Sequence, residues 1–469
     1  MLTDVSLLPK DMFNLCSMQI PSSLIEKYNV PVPRYTSYPT LPLWEDNIYS
    51  SSQWLQIVKQ TFDESNEKEG ISLYIHLPYC ESLCTYCACN TRITKNHKVE
   101  LPYIESVLQE WDMYLSAFKG TPVIRELHLG GGTPTFFSAG SLAKLVKGIL
   151  GPARRHPSFA FSFEGHPNNT RYDHLKTLYE LGATRVSYGV QDLDMKVQTV
   201  INRVQPYENV LRATQDARSI GYSSVNFDLV YGLPFQSVAG VKDMVQRVIS
   251  LRPERIAFYS YAHVPWKRPG QRAYTESDLP ADGLKRDLYE AGKELLLGSG
   301  YTDVGMDHFA LPGDALHTAF HRKTMHRNFM GYTEASTRLL VGLGASAISD
   351  AHYGYVQNRK KVEEYQATIQ KGELPLLKSH RLSKEDLQIR VALLDIACKG
   401  ECQWNSVVTD PSSLQTLNVM AEEGLIELKD NGFQVTVLGM AFLRNICSVF
   451  DRRMKSSPKT QGPVFSKAI

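Results

Sequence analysis

Between residues 72 and 262 short apolar or alternating runs recur along the chain, separated by segments long enough for a helix. This pattern predicts strands near Ser72–Leu77, Arg125–Leu129, Ala160–Glu164, Arg185–Val190, Val225–Val230 and Arg255–Tyr259. The intervening stretches carry helical apolar spacing, as in Leu101, Ile104, Val107, Leu108, Trp111 and Leu115. Strands alternating with helices imply a parallel sheet with helices outside it. Six such units fall short of a closed eight-stranded barrel and fit an α/β fold built as an open parallel (βα)6-type partial barrel. A doubly wound open sheet is the alternative on pattern alone. In both arrangements ligands gather at the carboxyl ends of the parallel strands, so polar residues at those ends carry the functional question.

The flanks read differently. Pro31-Val32-Pro33-Arg34-Tyr35-Thr36-Ser37-Tyr38-Pro39-Thr40 is too broken by proline for a helix and too aromatic for simple disorder, so it is expected to dock on something. After Lys371-Gly372-Glu373 the pattern turns to helices and a hairpin, with Asp430-Asn431-Gly432 as the turn between Leu425–Leu428 and Phe433–Val437. Three parts are expected: an N-terminal segment 1–50 that closes on the active site, a catalytic domain 51–370, and a small helical, winged-helix-like domain 371–469. No basic stripe accompanies the wing, which argues against DNA binding.

Composition narrows the class. The 469 residues hold 51 Lys+Arg against 49 Asp+Glu, a formal charge of +2, so no overall field draws the chain to nucleic acid or a membrane surface. No basic residue precedes Lys10 and no apolar run approaches the roughly 18 residues of a membrane span, so a cytoplasmic location is expected. Of the eight cysteines, Cys80, Cys84, Cys87 and Cys89 fall within ten residues, a crowding that reads as metal binding instead of a disulfide framework. Cys16, Cys398, Cys402 and Cys447 are scattered and read as small, unreactive side chains.

The spacing Cys80-x3-Cys84-x2-Cys87 places three thiolates on one loop directly after a strand. Three sulfurs suit a cubane cluster with one open iron, whereas structural zinc takes four closed ligands. Addition of Cys89 would complete such a zinc site, which remains the competing reading on spacing alone. After the second strand comes Gly130-Gly131-Gly132-Thr133-Pro134, where missing side chains let backbone approach a ligand and Pro134 can begin a helix. Its bland reading is a tight connection, and it lacks the spacing of a dinucleotide fingerprint.

The conjunction of the cysteine loop and the glycine turn resembles the radical S-adenosylmethionine (SAM) superfamily. Within it the chain resembles the oxygen-independent coproporphyrinogen III oxidase family over nearly its whole length. Four stretches carry the likeness: Pro33–Thr40; Tyr74-Ile75-His76-Leu77-Pro78-Tyr79-Cys80 with Cys84, Cys87, Cys89 and Asn90; Gly305-Met306-Asp307-His308-Phe309-Ala310; and His326-Arg327-Asn328-Phe329-Met330-Gly331-Tyr332. Arg444-Asn445-Ile446-Cys447 adds to it. The resemblance implies a [4Fe-4S] cluster on Cys80, Cys84 and Cys87, with Cys89 nearby but not a ligand. It implies that Tyr74, Tyr86, Gly131, Glu164 and Ile348 contact the cluster-bound SAM, Tyr74 and Glu164 being assigned to catalysis. Gly132, Thr133, Gln191, Arg203, Asp228 and Ala262 would contact a second SAM.

The pattern of strands agrees in part, since Glu164, Gln191 and Asp228 fall at or near predicted carboxyl ends; singly, Gln191 and Asp228 could equally satisfy backbone donors. His76, His308 and His326 read as structural. Arg34, Arg327 and the group Lys267, Arg268 and Arg272 offer cations to a substrate with four carboxylates, although the last group could be solvated surface. The implied activity is oxidative decarboxylation of two propionates of coproporphyrinogen III to vinyl groups, giving protoporphyrinogen IX, by a monomer served by a small redox-protein electron donor. His166, in Glu164-Gly165-His166-Pro167, and Leu339 depart from the family's usual residues at positions expected to flank the site. They leave another tetrapyrrole, or a non-catalytic heme-carrying role, as alternatives.

Overall fold

The computed structural model describes residues 20–44, 49–404, 409–456, 465 and 467, so Cys16 lies outside the described residues. Its centre is a 12-stranded sheet. Strands β1 (Ile71–Leu77), β2 (Val123–Gly131), β3 (Arg154–Gly165), β4 (Arg185–Gln191), β5 (Ser224–Tyr231) and β6 (Arg255–Ser260) lie side by side in chain order. All run parallel, with registers such as Leu77↔Gly131 and Phe163↔Val186. These are the six expected strands, although β3 begins at Arg154 and not Ala160. Strand β8 (His308–Ala310) pairs antiparallel with β6, and β7 (Thr302–Gly305) pairs antiparallel with β8 to close that edge.

The other edge departs from the simple expectation. Strand β9 (Leu339–Leu343) adds a further parallel neighbour to β1, and β10 (Ile348–Ala351), β11 (Gly354–Asn358) and β12 (Leu376–Arg381) continue as an antiparallel meander. β9 is buried along its whole length. A fully buried run of five apolar residues has no periodicity with which to announce itself.

Helices cover the sheet where the spacing places them. The helix Glu100–Ala117 buries Tyr103, Ile104, Val107, Trp111 and Tyr114, while Leu101 stands 48% exposed, so aromatic residues with polar tips share the face that aliphatic spacing outlined. From the same helix Glu110 accepts hydrogen bonds from the Gly344 amide (2.8 Å), the Tyr365 hydroxyl (2.7 Å) and Asn358 Nδ2 (2.7 Å). Burial pushes its carboxyl up to about 7. That triple contact fastens the helix to the edge beyond β9.

The C-terminal portion runs helix Lys384–Lys399, β13 (Glu401–Gln403), helix Pro411–Glu422, then the hairpin β14 (Ile426–Lys429) and β15 (Gly432–Val435), a winged-helix-like order. Its core has an unexpected contributor. Leu24, Tyr28, Tyr35 and Tyr38 of the N-terminal segment are buried with Ile389, Leu393, Leu417, Phe433, Phe442 and Phe450. The proline-rich strip therefore docks on the C-terminal portion. Among the described residues no helix is long and apolar enough to cross a membrane.

Candidate functional site

β1 delivers the chain directly into the cysteine loop, and the glycine turn after β2 forms a floor beneath it. The Gly132 amide donates to the Leu77 carbonyl (2.9 Å) and the Thr133 amide to the Tyr79 carbonyl (3.1 Å). Thr133 Oγ1 lies 3.3 Å from Cys80 Sγ. The floor has no room for side chains, because a Cβ on Gly132 would stand 2.6 Å from the Pro78 carbonyl oxygen and one on Gly131 would stand 2.7 Å from the His76 ring. A short 3-10 turn, Pro134–Phe136, follows, as the proline predicts.

The loop is held from outside by residues whose part in holding it sequence reasoning passed over. Asn202 Nδ2 donates to the Leu83 carbonyl (2.7 Å), and the Thr85 amide to that of Ile201 (2.9 Å). Gln271, fully buried, donates through Nε2 to the carbonyls of Tyr86 and Ala262, both at 3.2 Å. Arg268 donates to the Ala88 and Cys89 carbonyls. Each partner is a backbone oxygen, which leaves no motif to find. Arg268 is thus a clasp on the cysteine loop, and Arg272 donates to the Pro265 carbonyl (3.2 Å), so the basic group is only partly the solvated or carboxylate-seeking patch its charge suggested.

Cys80, Cys84, Tyr86, Cys87, Gly131, Gly132, Thr133, Glu164, Gln191, Arg203 and Asp228 share one cleft of about 510 Å3 at the carboxyl ends of the strands. Glu164 Oε2 accepts from the Gly131 amide (3.1 Å), and its Oε1 lies 3.6 Å from His128 Nε2. Asp228 accepts from Ser187 Oγ (3.1 Å) and Asn226 Nδ2 (3.0 Å); burial first, then the nearby Glu164 charge, pushes it up to about 6. At the end of β4 a bulge between Gly189 and Gln191 turns Gln191 to φ 66°, a left-handed conformation that costs an ordinary residue about 1–2 kcal/mol. The bare Cα of Gly189 makes room for this, since a Cβ there would meet Gln191 Nε2 at 2.5 Å and Arg203 Nη2 at 2.9 Å. Arg203 Nη2 donates to the Gly189 carbonyl (2.6 Å), and its Nη1 lies 3.6 Å from Cys84 Sγ.

Tyr74, Ala262 and Ile348 are not among the residues that line this cleft. The Tyr74 ring stacks on His128 at 6.0 Å between centroids, and its hydroxyl bonds His76 Nδ1 at 3.0 Å. The His76 Nε2 proton goes to the Asn90 carbonyl (2.8 Å), so Nδ1 must accept: a neutral ring tied to backbone, as the structural reading of His76 expects. Ala262 follows β6, and Gln271 ties its carbonyl to that of Tyr86 in the cysteine loop. Ile348 opens β10 and packs with Trp44 and Tyr355. His308 also bonds backbone, through Nδ1 to the Met306 carbonyl (2.8 Å), and burial brings it down to about 4. His326 is likewise brought down to about 4, by burial and then by Arg390.

The two departures separate. His166 does line the cleft. Leu339 does not flank it: it begins β9, which runs parallel to β1, and so lies in the core at the opposite end of the sheet from the site.

This donor set fits the group the spacing calls for. Four thiols, those of Cys80, Cys84, Cys87 and Cys89, open into one cleft beside the Arg203 guanidinium, whose Nε has no acceptor among the described residues, over a floor kept bare by glycine; Cys89 is engaged in a hydrogen bond to Cys87. Burial pushes the Cys80 thiol up to about 11, while a hydrogen bond from Cys89 brings Cys87 down to about 6. Thiols gathered beside a cation and an open face suit an iron-sulfur cluster with a vacant coordination position, whose iron would take them as thiolates.

Comparison with known proteins agrees. The radical SAM superfamily model matches residues 74–248. The oxygen-independent coproporphyrinogen III oxidase of Pseudomonas aeruginosa is 35% identical over 463 residues, spanning 96% of this chain and 98% of that one. The Escherichia coli enzyme of the same name is 34% identical over 457 residues, 95% and 98% of the two chains. The solved structure of E. coli coproporphyrinogen III oxidase, described as a radical SAM enzyme, superposes with a TM-score of 0.85 at 31% identity, covering 93% of this chain and 99% of that one. With the cysteine loop, glycine floor and strand-end cleft in place, and with likeness running almost end to end, the chain belongs to the oxygen-independent coproporphyrinogen III oxidase family of radical SAM enzymes.

Proposed function

We propose that this chain converts coproporphyrinogen III to protoporphyrinogen IX by oxidative decarboxylation of two propionate side chains. What supports this is near full-length likeness to curated enzymes of that activity, together with a cleft that collects the thiols of the cysteine loop, a bare glycine floor and strand-end carboxylates. Cys80, Cys84 and Cys87 would hold the cluster. When bound, the cluster and SAM supply a 5′-deoxyadenosyl radical that takes one hydrogen atom from a propionate, after which loss of CO2 and one electron leaves a vinyl group.

The protein's own part is placement. Glu164, fixed by the Gly131 amide, would accept from the amino group or ribose of SAM. Arg203, Gln191 and Asp228 would hold a second SAM, with Gly132 and Thr133 bordering it. Tyr74, behind the glycine turn and stacked on His128, would fix the wall against which Glu164 rests. Tyr86, Ala262 and Ile348 complete the set assigned to SAM. The N-terminal segment reaches the same end of the sheet, for Arg34 Nη2 donates to the Ser260 carbonyl at the end of β6 (3.2 Å). Its role in this reading is closure, which excludes water from a radical reaction. A cytoplasmic monomer fed by a small redox protein completes the reading.

The test is anaerobic incubation of the reconstituted protein with SAM, a low-potential reductant and coproporphyrinogen III. Protoporphyrin fluorescence after oxidation, with matching 5′-deoxyadenosine, is expected. Tight heme binding without turnover would assign the chain to a carrier role, and SAM cleavage that leaves coproporphyrinogen untouched would point to another tetrapyrrole.

A further inference from the structure

Beside the cleft, the chain encloses a second cavity of about 60 Å3 around an excess of positive charge. Arg34, Arg286, Lys293, Arg327 and Arg444 line it against only Asp303 and Asp307. Both carboxylates have cations already: Asp303 accepts from Lys293 at 2.7 Å, and Asp307 faces Arg34 at 3.9 Å. Arg286 pairs with Glu290. Arg444 directs its N–H groups to the carbonyls of Val32, Pro33 and Lys467.

Arg327 is the telling member. It is 6% exposed and donates one Nη to the Arg34 carbonyl (3.2 Å), but its Nε and other Nη meet no acceptor among the described residues; the Nε of Arg286 is in the same condition. Unsatisfied guanidinium nitrogens in a buried, cation-rich cavity are costly unless an anion completes them. Neighbouring groups register the same excess. Burial and then Arg34 bring the Arg444 guanidinium down to about 10, and burial, with Arg34 and Arg444 adding to it, brings Lys285 down to about 8.

Tyr259 and Arg34 bring the cavity and the cleft close to one another. Tyr259 lines the cleft, the Arg34 guanidinium carbon stands 5.8 Å from the Tyr259 ring centroid, and Arg34 lines the cavity. The volume suits a carboxylate and not a pyrrole ring. We propose that the cavity receives one propionate carboxylate of the tetrapyrrole, a carboxylate that does not react, and that Arg327, with Arg34 and Arg444 beside it, reads its planar fork. This deepens the proposed function and rests on it: the cavity fixes the orientation in which another propionate faces the cleft.

The experiment uses the anaerobic holoenzyme and two porphyrin probes, coproporphyrin III with four free carboxylates and its tetramethyl ester with none. Wild type should bind the acid at least about 10-fold more tightly than the ester, the scale of a charge-assisted hydrogen bond in a buried site. Arg327→Gln should lose that margin and raise KM for coproporphyrinogen about 10-fold, at wild-type iron content and melting temperature, and Arg327→Lys should recover part of it. Sodium acetate should compete with coproporphyrin in the wild type. Equal affinity of wild type for acid and ester overturns the proposal whatever the variants do. So does an Arg327→Gln protein with full preference for the acid, or acetate binding that leaves coproporphyrin affinity unchanged, which would mark a generic anion hole. A wild type unable to turn over coproporphyrinogen would be a separate failure, that of the functional reading itself.

Discussion

Gly132 is where the cysteine loop and the glycine floor come closest, and substitution by alanine tests whether that closeness organises the site. A Cβ there would lie 2.6 Å from the Pro78 carbonyl oxygen, 2.7 Å from its carbon and 2.9 Å from the Tyr79 oxygen. All three are backbone atoms immediately before Cys80, so no rotamer change relieves the overlap and the two segments must part. Overpacking of this kind costs about 1–3 kcal/mol, and weakening the Gly132–Leu77 or Thr133–Tyr79 hydrogen bond adds about 1 kcal/mol. The expected Gly132→Ala protein therefore melts several degrees lower, holds less iron per chain after anaerobic reconstitution, and binds SAM more weakly, because the displacement passes directly to Cys80. Gly140→Ala is the control: its Cβ would meet nothing within 4 Å in the helix Ala139–Leu150, and alanine there should be neutral or stabilising by up to about 1 kcal/mol. Thermal melts, iron and sulfide analysis and SAM titration on the pair decide the matter. A Gly132→Ala protein with wild-type iron, SAM affinity and melting temperature would refute the reasoning.

Replacing Cys80, Cys84 or Cys87 by Ala should each abolish the cluster of about four irons and four sulfides, while Cys89→Ala should retain it; equal loss with Cys89→Ala, read by iron and sulfide analysis, would make Cys89 a ligand. Burial raises the Glu334 carboxyl, but Arg255 and then Arg185 outweigh it and bring it down to about 2. Its contribution to stability is therefore present above the ordinary glutamate range and lost as pH falls toward 2, so acid unfolding curves of wild type and Glu334→Gln should converge across that window. A gap that stays constant with pH would contradict this. Removing residues 1–40 strips Leu24, Tyr28, Tyr35 and Tyr38 from the C-terminal core, each worth about 1.5–3 kcal/mol when buried, so the truncated protein should melt lower as well as yield less product per SAM cleaved. Arg34→Ala, which keeps those aromatics, should lower product per SAM with a nearly unchanged melting temperature.

What the sequence made legible follows from how far each signal reaches. The six parallel strands and the Asp430-Asn431-Gly432 turn are local patterns, and all are present, as is the gathering of Glu164, Gln191 and Asp228 at one end of the sheet. β9 was not legible because a buried run lacks a period, and the meander beyond it pairs strands whose order no local rule dictates. The clasps on the cysteine loop were hidden for another reason: Asn202, Arg268 and Gln271 all serve backbone carbonyls, and any donor of suitable reach could do so.

The charged cavity is the case in which spacing says least. Arg34, Arg327 and Arg444 come from three motifs more than a hundred residues apart; Arg34 and Arg327 were readable as cations for substrate carboxylates, but nothing in the spacing said that the three would meet. They meet because Tyr35 and Tyr38 bury themselves in the C-terminal core, which draws Arg34 across the end of β6 and sets its carbonyl against Arg327 and those of Val32 and Pro33 against Arg444. A parallel sheet leaves the carboxyl ends of its strands uncovered. In this chain the cover is made by packing its N-terminal segment against its C-terminal portion, and the apolar contacts that join them also force cations into a space without enough carboxylates of its own. Packing thus supplies the energy that holds the charges together, since mutual repulsion would otherwise part them, and the unfilled hydrogen-bonding capacity of Arg327 is what remains for a ligand to complete.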